Sequence, residues 1–529
     1  PSGFTPTWGF SGFLSGDTTA TINTTSASYN SAHVATANQI TVAGLSINGI
    51  TGSNGSLLGD YLLDATSKVV AASITPKTLT ASLSNTGVTK VYDATNNAPA
   101  GFTPSWTVSG LVSGDSAVAI TGSAGTYDSR DVAFATKVTV SSLALGSITG
   151  SNASAASDYA LDSNSQSVSA TITAKTLTPT GLNASNKTYD GTTTATLTGT
   201  AALLAAEAAG SGNAGDGMPY TGDAVNVSGT PLGTFNSANV ATANQVQVSG
   251  LSLSGAQAGN YSLAAYPTLF ANVQKAGLTI TANLDAKFVT TADVAGYNGV
   301  NYFGFVHGET PSVLTGTATV TRIHPAQAVG NYAGVLVPAG QSAANYNITY
   351  VNGDYRIIPA DQLLVKVQNQ SNTYGTSAPF GIASAQYMAG GTTLTDLVLT
   401  AHVGNQFTYA DANNFATSFT VVPTNQQLSS SNNLRAGNYT MGSSNEVLSG
   451  QFGALNLVGN LTVTQAAVTP SASSGVSRVY DGTTSMSALS LALGGQISGD
   501  LLAMNGSGSF ATRNVGTGIA YSVNNLNLS

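Results

Sequence analysis

The sequence predicts an all-β chain built as a tandem array of small β-sandwich domains, and three observations support this prediction. Residues 33–54 are matched by residues 131–152, 98 positions later, and by residues 239–260, a further 108 positions on. Apolar and polar residues alternate over short segments that end in Gly, Asn or Ser, which is the pattern of half-buried strands. Helical periodicity is scarce. A repeat of about 100 residues has the size of one small domain, so the chain is an array.

Composition restricts the classes of function. Hydrophobic residues make up 42% of the 529 residues, whereas charged residues make up only 7%, against about 25% in an average soluble protein. With 15 basic and 23 acidic residues the net charge is −8, so no basic surface is predicted and nucleic acid is not expected as a partner. The chain has no cysteine, and no apolar run reaches the roughly 18 residues of a membrane helix. Because no signal-peptide pattern opens the chain and repeats are cut at both ends, we expect a piece of a longer polypeptide.

Two sequence markers predict strands in every repeat. In residues 131–152 the apolar residues Val138, Val140, Leu143 and Leu145 are spaced two, three and two apart. The three-residue step predicts a bulge or kink inside a continuous strand, with a tight strand-to-strand bend as the alternative. The second marker is a Tyr with an aliphatic residue two positions later, which places both side chains on one face of a core strand. This marker occurs at Tyr61, Tyr159, Tyr261, Tyr346 and Tyr439.

A third marker, Tyr-Asp-(Gly or Ala)-Thr, occurs at residues 92–95, 189–192 and 480–483. Asp-Gly favours a tight turn because both residues tolerate positive φ. A cation site at these aspartates is the disfavoured alternative, since calcium needs several oxygen ligands on a defined loop. The sequences Ser-Gly-Asp and Thr-Gly-Asp at 15–17, 113–115, 221–223 and 498–500 are also predicted to be turns. The predicted turn residues of the third marker are Tyr92, Asp93, Tyr189, Asp190, Gly191, Tyr480, Asp481 and Gly482.

Domain boundaries are predicted at Thr-rich links such as residues 74–83 and 172–181. Pro and Lys in these links suit strand edges and junctions. The only helical signal, LLAAEAA at 203–209, lies in extra residues that lengthen one repeat. The predicted domains are 1–75, 76–173, 174–276, 277–359, 360–466 and 467–529, of which the first and last are partial repeats.

At this point the residues carry a family resemblance. Residues 187–193 (KTYDGTT), with GNYSL at 259–263, resemble the YDG repeat of bacterial surface adhesins. Residues 278–359, with AANYNITYVNGDY at 343–355, resemble the immunoglobulin-like MBG domain, and NTYG at 372–375 looks like the start of a second copy. Such repeats occur in filamentous-haemagglutinin-like proteins that Gram-negative bacteria export by two-partner secretion. The resemblance therefore implies an elongated array of immunoglobulin-like domains at the extracellular cell surface.

Ala94 departs from the motif, because it stands where the other copies have Gly. We therefore expect that the turn at 92–95 need not adopt a conformation that only glycine tolerates.

No catalytic pattern is present, so we expect no enzyme, no metal and no cofactor. H-E-x-x-H, G-x-S-x-G and Walker sequences are missing from the chain, and a Cys nucleophile is excluded. The four histidines are His33, His307, His324 and His402. His33 is predicted to lie in a surface loop, and His307, two residues before Glu309, in a solvated turn.

Three functions remain open. The first is a structural stalk or filament segment of a secreted adhesin that presents binding regions for attachment to cell surfaces or biofilm matrix. The second is a carbohydrate-binding module in which Trp8 and Trp106, at equivalent positions of adjacent repeats, stack on a sugar; a core position for both is the alternative. The third is a subunit of a multi-chain extracellular fibre that associates through a strand edge. The candidate partners are therefore polysaccharide and neighbouring adhesin chains, without membrane insertion of this segment.

Overall fold

The chain is built almost entirely from β-strands. The computed structural model describes residues 3–210, 213–472, 476–486, 491–510, 512–517, 519 and 521–528. Strands account for 49% of the chain, and the described residues contain four short 3-10 turns and no α-helix. The predicted all-β fold class is therefore confirmed. In the same residues no helix is long and apolar enough to cross a membrane.

The strands fall into two compact units. The first comprises Pro1–Thr178, Leu204–Val225 and Ser254–Ala264, and the second comprises Pro179–Leu203, Asn226–Leu253 and Ala265–Ser529.

The first unit consists of small two- to four-stranded sheets. Its strands are β1 Asp17–Asn23, β2 Ser26–Tyr29, β3 Gln39–Ala43, β4 Ser46–Gly52, β5 Ser67–Ala71, β6 Lys77–Leu83, β7 Val88–Val91, β8 Trp106–Ser109, β9 Asp115–Thr121, β10 Thr126–Tyr127, β11 Lys137–Ser141, β12 Ala144–Gly150, β13 Tyr159–Leu161, β14 Ser165–Thr173, β15 Lys175–Leu177 and β22 Tyr261–Leu263, with 3-10 turns at Leu58–Asp60, Ala156–Asp158 and Ala258–Asn260.

The second unit has larger sheets, including a six-stranded one in the order β32-β40-β38-β37-β36-β35. Its strands are β16 Pro179–Ala184, β17 Lys187–Thr188, β18 Thr194–Ala195, β19 Leu197–Leu203, β20 Asn226–Phe235, β21 Val246–Ser254, β23 Val273–Gln274, β24 Ala276–Ala282, β25 Asp285–Phe288, β26 Val300–Phe303, β27 Thr319–Arg322, β28 Gly330–Ala339, β29 Tyr346–Val351, β30 Gly353–Ile358, β31 Leu363–Val367, β32 Gln370–Thr373, β33 Ile382–Ala389, β34 Thr393–Asp396, β35 Val398–Val403, β36 Gln406–Ala410, β37 Ala416–Pro423, β38 Gly437–Val447, β39 Leu455–Val458, β40 Asn460–Thr464, β41 Thr469–Ala472, β42 Ser485–Met486, β43 Leu491–Gly494, β44 Met504–Phe510 and β45 Tyr521–Leu528, with a 3-10 turn at Pro311–Val313.

One pairing scheme recurs in the repeats. The first strand of a repeat runs parallel to its Tyr strand, as β6 does with β13 and β24 with β29. The second strand runs parallel to the last one, as β7 does with β14 and β25 with β30. A parallel pair cannot be closed by a hairpin, so these pairs join the beginning of each repeat to its end. The Tyr-Asp-Gly turn that follows the second strand is thereby fixed at the boundary with the next repeat.

The three-residue spacing between apolar residues, for which a bulge in a continuous strand or a strand-to-strand bend was expected, takes both forms in the structure. In the first two repeats it separates two strands, β3 from β4 at Gly44 (φ 68°) and β11 from β12 at Ser142 (φ 56°). The chain changes sheets there, because β3 pairs with β2 and β5 whereas β4 pairs with β1. The strand-to-strand bend is therefore correct in these repeats. β21 and β45 are each continuous across the step, so the predicted continuous strand is confirmed in those two.

The helical signal at 203–209 does not lead to a helix. Leu203 ends β19, and Glu207 forms a β-bridge with Tyr220. The reason is electrostatic: the fully buried ammonium of Lys175 pairs with Glu207 and, at 3.0 Å, with Asp216, and it lies 4.2 Å from the centre of the Tyr220 ring. These partners fix the segment as a loop around a buried cation, and tertiary contacts of this kind override a weak helical preference.

The predicted Tyr strands form part of the cores. Tyr159, Tyr261, Tyr346 and Tyr439 are buried, which confirms this prediction for four of the five markers. For Tyr61 the predicted core strand is wrong, since this residue is half-buried and lies in no strand. In the second unit the cores continue across repeat boundaries. One cluster joins Tyr189 and Phe235 of repeat 174–276 to Leu278 and Ile280 of the next.

Candidate functional site

The Tyr-Asp-Gly turn is closed by its own aspartate. The backbone N–H and the hydroxyl of Thr95 both donate to Asp93 Oδ1 at 2.9 Å. The ammonium of Lys90 donates to Asp93 Oδ1 at 2.7 Å and to the carbonyls of Thr95 at 2.9 Å and Asn97 at 2.8 Å. The ammonium group of Lys90 is thus surrounded by oxygens and occupies the position that a metal cation would take.

The other two copies have the same arrangement. Thr192 donates to Asp190, and Lys187 donates to Asp190 at 2.7 Å. Burial raises the pKa of Asp190, but the bonds from Lys187 and Thr192 outweigh it and hold that pKa below its usual value. In the last copy Arg478 replaces the lysine and bonds Asp481 at 2.5 Å. The described residues contain no group of three or more acidic or His side chains placed to hold a metal ion.

The third residue of the turn lies in the left-handed region in every copy, with φ of 62° at Ala94, 78° at Gly191 and 79° at Gly482. Ala94 therefore shares the left-handed conformation of the two glycines, and this conformation is not one that only glycine tolerates. The ring of hydrogen bonds around Asp93 fixes the backbone, and Ala94 adopts it at a cost of about 1 kcal/mol.

The Gly-Asp sequences form a second kind of turn, as predicted. In 112–115, the N–H of Asp115 donates to the carbonyl of Val112 at 3.0 Å, and Gly114 has φ 103°. The N–H of Val112 donates to the hydroxyl of Tyr159 at 3.1 Å, and that hydroxyl donates to the Asp115 carboxylate. The Tyr strand therefore anchors the turn and orients its carboxylate. The same backbone bond occurs in the turns 14–17, 220–223, 306–309, 388–391 and 497–500.

The two kinds of turn meet in the first unit, where Tyr92 reaches the carboxylate of the following repeat. Asp223 Oδ2 accepts hydrogen bonds from the hydroxyls of Tyr92 and Tyr261, each at 2.7 Å. The two rings stand edge to face, 5.2 Å apart. Tyr92 is fully buried and the Asp223 side chain is 1% exposed. Burial, followed by the bond to Asp223, raises the pKa of Tyr92 far above its usual value. We call this arrangement the tyrosine–carboxylate joint.

Equivalent joints occur in the second unit. Glu309 accepts from the hydroxyl of Tyr189 at 2.6 Å and from the hydroxyl of Tyr346 through its other oxygen. The two rings are again edge to face, at 5.5 Å. Further along the chain, Asp500 accepts from Tyr374 at 2.5 Å and from Ser431.

One boundary in the second unit lacks the joint on both sides. Phe288 occupies the position of the turn tyrosine at the end of β25, and Gly391 occupies the position of the acid in the turn 388–391. Phe288 packs instead in an apolar cluster that includes Leu284, Ile358, Leu364, Met388 and Val458. Here an apolar contact replaces the polar one.

A second contact accompanies the joint, and its partners differ from one boundary to the next. The side chain of the residue before the Tyr marker accepts a hydrogen bond from a backbone N–H in a loop of the preceding repeat. The N–H of Val34 donates to Asp158 at 2.6 Å, that of Val132 to Asn260 at 2.9 Å and that of Val240 to Asn345 at 3.1 Å. The side-chain partners are matched pairs, namely His33 with Asp158 at 2.8 Å, Asp131 with Asn260 at 2.7 Å and Asn239 with Asn345 at 2.9 Å.

The remaining candidate residues do not converge on one another. Trp8 is half-buried and packs against the core of Ile40, Val42 and Leu45, and Trp106 is half-buried in β8 opposite Leu83. His33 lies in a loop, and its side chain is bonded to Asp158. His307 lies in the turn 306–309 at φ 53°, while Glu309 faces the two tyrosines.

These features define the class of protein: tandem β domains joined by related contacts, with the tyrosine–carboxylate joint at most of the described boundaries. The chain contains YDG and MBG domains. The YDG domain family matches residues 75–167, 173–268 and 464–529, and the MBG domain (YGX type) matches residues 278–356. No curated protein is significantly similar to the chain.

Sequence reasoning located the turns but missed their connection. The acid of the Gly-Asp turn and the tyrosine of the Tyr-Asp turn lie 131 positions apart in the first joint. The sequence does contain a signal for this connection. At most boundaries a turn tyrosine in one repeat is accompanied by a turn acid in the next, whereas at one boundary Phe288 is accompanied by Gly391.

Proposed function

We propose that the chain is a structural stalk or filament segment of a large secreted bacterial adhesin, which presents binding regions for attachment to a cell surface or a biofilm matrix. The observation that carries the proposal is the recurring tyrosine–carboxylate joint. A module whose role is to bind a ligand by itself has no need for the same buried polar contact at one boundary after another. An array that must stay stiff does, because its stiffness depends on the nearest-neighbour contacts.

The links between repeats support the same conclusion. A single residue, Ala174, separates β14 from β15, and a single residue, Lys275, separates β23 from β24. Flexible linkers of several Gly or Ser residues let domains move independently. These two links have one residue between strands and so lack the length that gives a flexible linker its freedom.

The cores add to this stiffness. Domains in one chain usually move unless their interface is large and hydrophobic. In the second unit, the cluster with Tyr189 and Ile280 and the cluster with Phe288 and Met388 both cross a predicted boundary. The boundary contacts are therefore continuous with the cores of the domains.

Electron microscopy and single-molecule stretching of the 529-residue chain test the mechanical part of the proposal. We expect extended particles of uniform length, and loss of that uniformity in a Tyr92→Phe, Tyr189→Phe double variant. Compact or freely bending particles in the unmodified chain would contradict it.

Deletion of the segment in the organism that encodes it tests the biological part. Attachment should weaken because the binding regions lose reach, while isolated binding regions should keep their affinity. The carbohydrate alternative requires that the chain itself bind glycans and that Trp106→Ala abolish binding without unfolding. Such a result would replace the stalk proposal.

A further inference from the structure

Lys175 places a fully buried ammonium between two carboxylates in the first unit. Its Nζ donates to Glu207 and lies 3.0 Å from Asp216 Oδ1, and the Lys175 side chain is 0% exposed. The ring of Tyr220, which is itself buried, lies 4.2 Å from the same nitrogen and shields it from solvent on that side. A buried ion pair carries a large desolvation cost that a neutral group avoids. A reaction that joins the amine to a carboxylate would remove this cost.

The carboxylate of Asp216 is held in the position of an electrophile. Its Oδ1 accepts the N–H of Met218 at 2.9 Å, and its Oδ2 accepts the N–H of Asn213 at 3.2 Å. Fixed backbone N–H groups stabilise the negative charge that develops on oxygen when a nucleophile adds to a carboxyl carbon. The Nζ of Lys175 is already in contact with this group, and well-oriented groups within one molecule reach effective concentrations of about 10⁵–10⁸ M. Such a concentration favours an amide that separate molecules would not form in water.

Glu207 provides a route for the protons. Burial lowers the pKa of Lys175, but the bonds to Glu207 and Asp216 outweigh it and raise that pKa, so the amine rests as an ammonium. Only the neutral amine is a nucleophile. Because Glu207 accepts a hydrogen bond from Nζ, it can take a proton as a general base and return it to the leaving oxygen as a general acid.

We propose that Lys175 and Asp216 condense to an intramolecular amide bond, with Glu207 as the proton carrier. The Nζ of Lys175 attacks the Cγ of Asp216, so that an N–C bond forms and one C–O bond breaks. Two protons of the ammonium pass to the departing oxygen, which leaves as water, and no other reactant is needed. The Asp216 side chain is 22% exposed, which gives this water a path to solvent.

The amide bond locks the loop that carries the first tyrosine–carboxylate joint. Residues 204–225 include Asp223, which accepts the hydroxyl of Tyr92, and the N–H of Gly210 donates to the carbonyl of Asp93 at 2.8 Å. Cross-linking this loop to Lys175 at the start of β15 restricts the unfolded chain as a disulfide does, in a chain that has no cysteine. The inference goes beyond the proposed function and does not depend on it.

Mass spectrometry of the folded 529-residue chain tests the proposal directly. We expect a mass that is lower than the sequence mass by one water molecule. Trypsin should no longer cleave after Lys175, because its amine has lost its charge, and residues 138–187 should stay linked to residues 188–275. The buried pair of Lys287 and Asp293, 2.8 Å apart, is the internal control. Lys287 bonds Gln327 where Lys175 bonds a second carboxylate, so its peptides should stay unlinked.

Three variants test the roles of the residues. Lys175→Arg and Asp216→Ala should each keep the full sequence mass. Glu207→Gln keeps the size of the side chain but removes the proton carrier, so loss of water after cell-free synthesis should be slower by about 100-fold or more. Protection of the Tyr220 amide from exchange shows that this variant has kept its fold.

An unmodified chain that keeps its full mass after prolonged incubation overturns the proposal, and so does a lost water that maps to other residues. A folded Glu207→Gln variant that loses water at the unmodified rate overturns it as well. The stalk proposal stands after any of these results, since it rests on the tyrosine–carboxylate joint and not on this bond.

Discussion

Removal of the Tyr92 hydroxyl is the most direct test of the tyrosine–carboxylate joint. Tyr92→Phe keeps the ring and its packing but deletes the donor that lies 2.7 Å from Asp223 Oδ2. Water cannot replace it, because the Asp223 side chain is 1% exposed and Tyr92 is fully buried. Asp223 retains Tyr261 and, at 3.4 Å, Arg130, so the carboxylate stays partly satisfied. We therefore expect a loss of about 2 kcal/mol, within the range for hydrogen bonds to charged groups.

Native-state amide exchange is the suitable assay, since a chain of several domains does not unfold in two states. The N–H of Tyr220 donates to the Tyr261 hydroxyl at 2.9 Å and reports opening of the joint. A loss of 2 kcal/mol should speed its exchange roughly 30-fold. Tyr480→Phe is the matched control. Because Tyr480 is 60% exposed, this variant should leave the amide exchange of its own turn unchanged in dilute solution. If Tyr92→Phe shifts the opening free energy no more than this control does, the joint contributes nothing and the reasoning fails.

Three further outcomes follow from the turns and their contacts. Ala94→Gly should stabilise the first unit by about 1 kcal/mol in calorimetry, because it relieves the strain of an alanine in the left-handed region. Gly191→Ala should destabilise the second unit, since the added Cβ would lie 2.6 Å from His307 Cβ. His33→Asp should cost about 1–2 kcal/mol by placing two carboxylates together, and adding Asp158→Asn should restore the loss, as a double-mutant cycle would measure. Burial raises the pKa of Asp158, but the bond from His33 and two backbone N–H bonds lower that pKa overall. Because the pKa is depressed in the folded state, this contact contributes stability above the unfolded-state pKa and loses it as the pH falls through the folded-state pKa. Amide exchange measured at acid pH should therefore show loosening of this contact, and the loosening should be missing with Asn at 158.

The sequence predicts the strands and turns well because they depend on local signals. Alternation fixes which strand face is buried, and Asp-Gly or Gly-Asp fixes a turn within four residues. The Tyr marker is explained the same way, since Tyr159 and the residue two positions later share a face of β13. None of these inferences needs contacts between distant parts of the chain.

The errors arise where distant contacts decide the local structure. Residues 203–209 have helical composition, but the buried ammonium of Lys175 draws Glu207 into a loop. There a tertiary polar partner outweighs a local helical preference of about 1 kcal/mol or less. The loop position of His33 was predicted, but its contact with Asp158 was not, because only the fold brings the two residues together.

The boundary at Phe288 shows that the two halves of the joint function as one unit. A tyrosine hydroxyl at this position would be buried among Leu284, Ile358 and Met388 without an acceptor, and an acid opposite a phenylalanine would be buried without its second donor. Either mismatch costs about 1–3 kcal/mol, so each half is stable only with its own kind of partner. The matched pairs of the second contact, such as His33 with Asp158 and Asp131 with Asn260, follow the same rule. A mismatched residue would therefore be penalised at either contact.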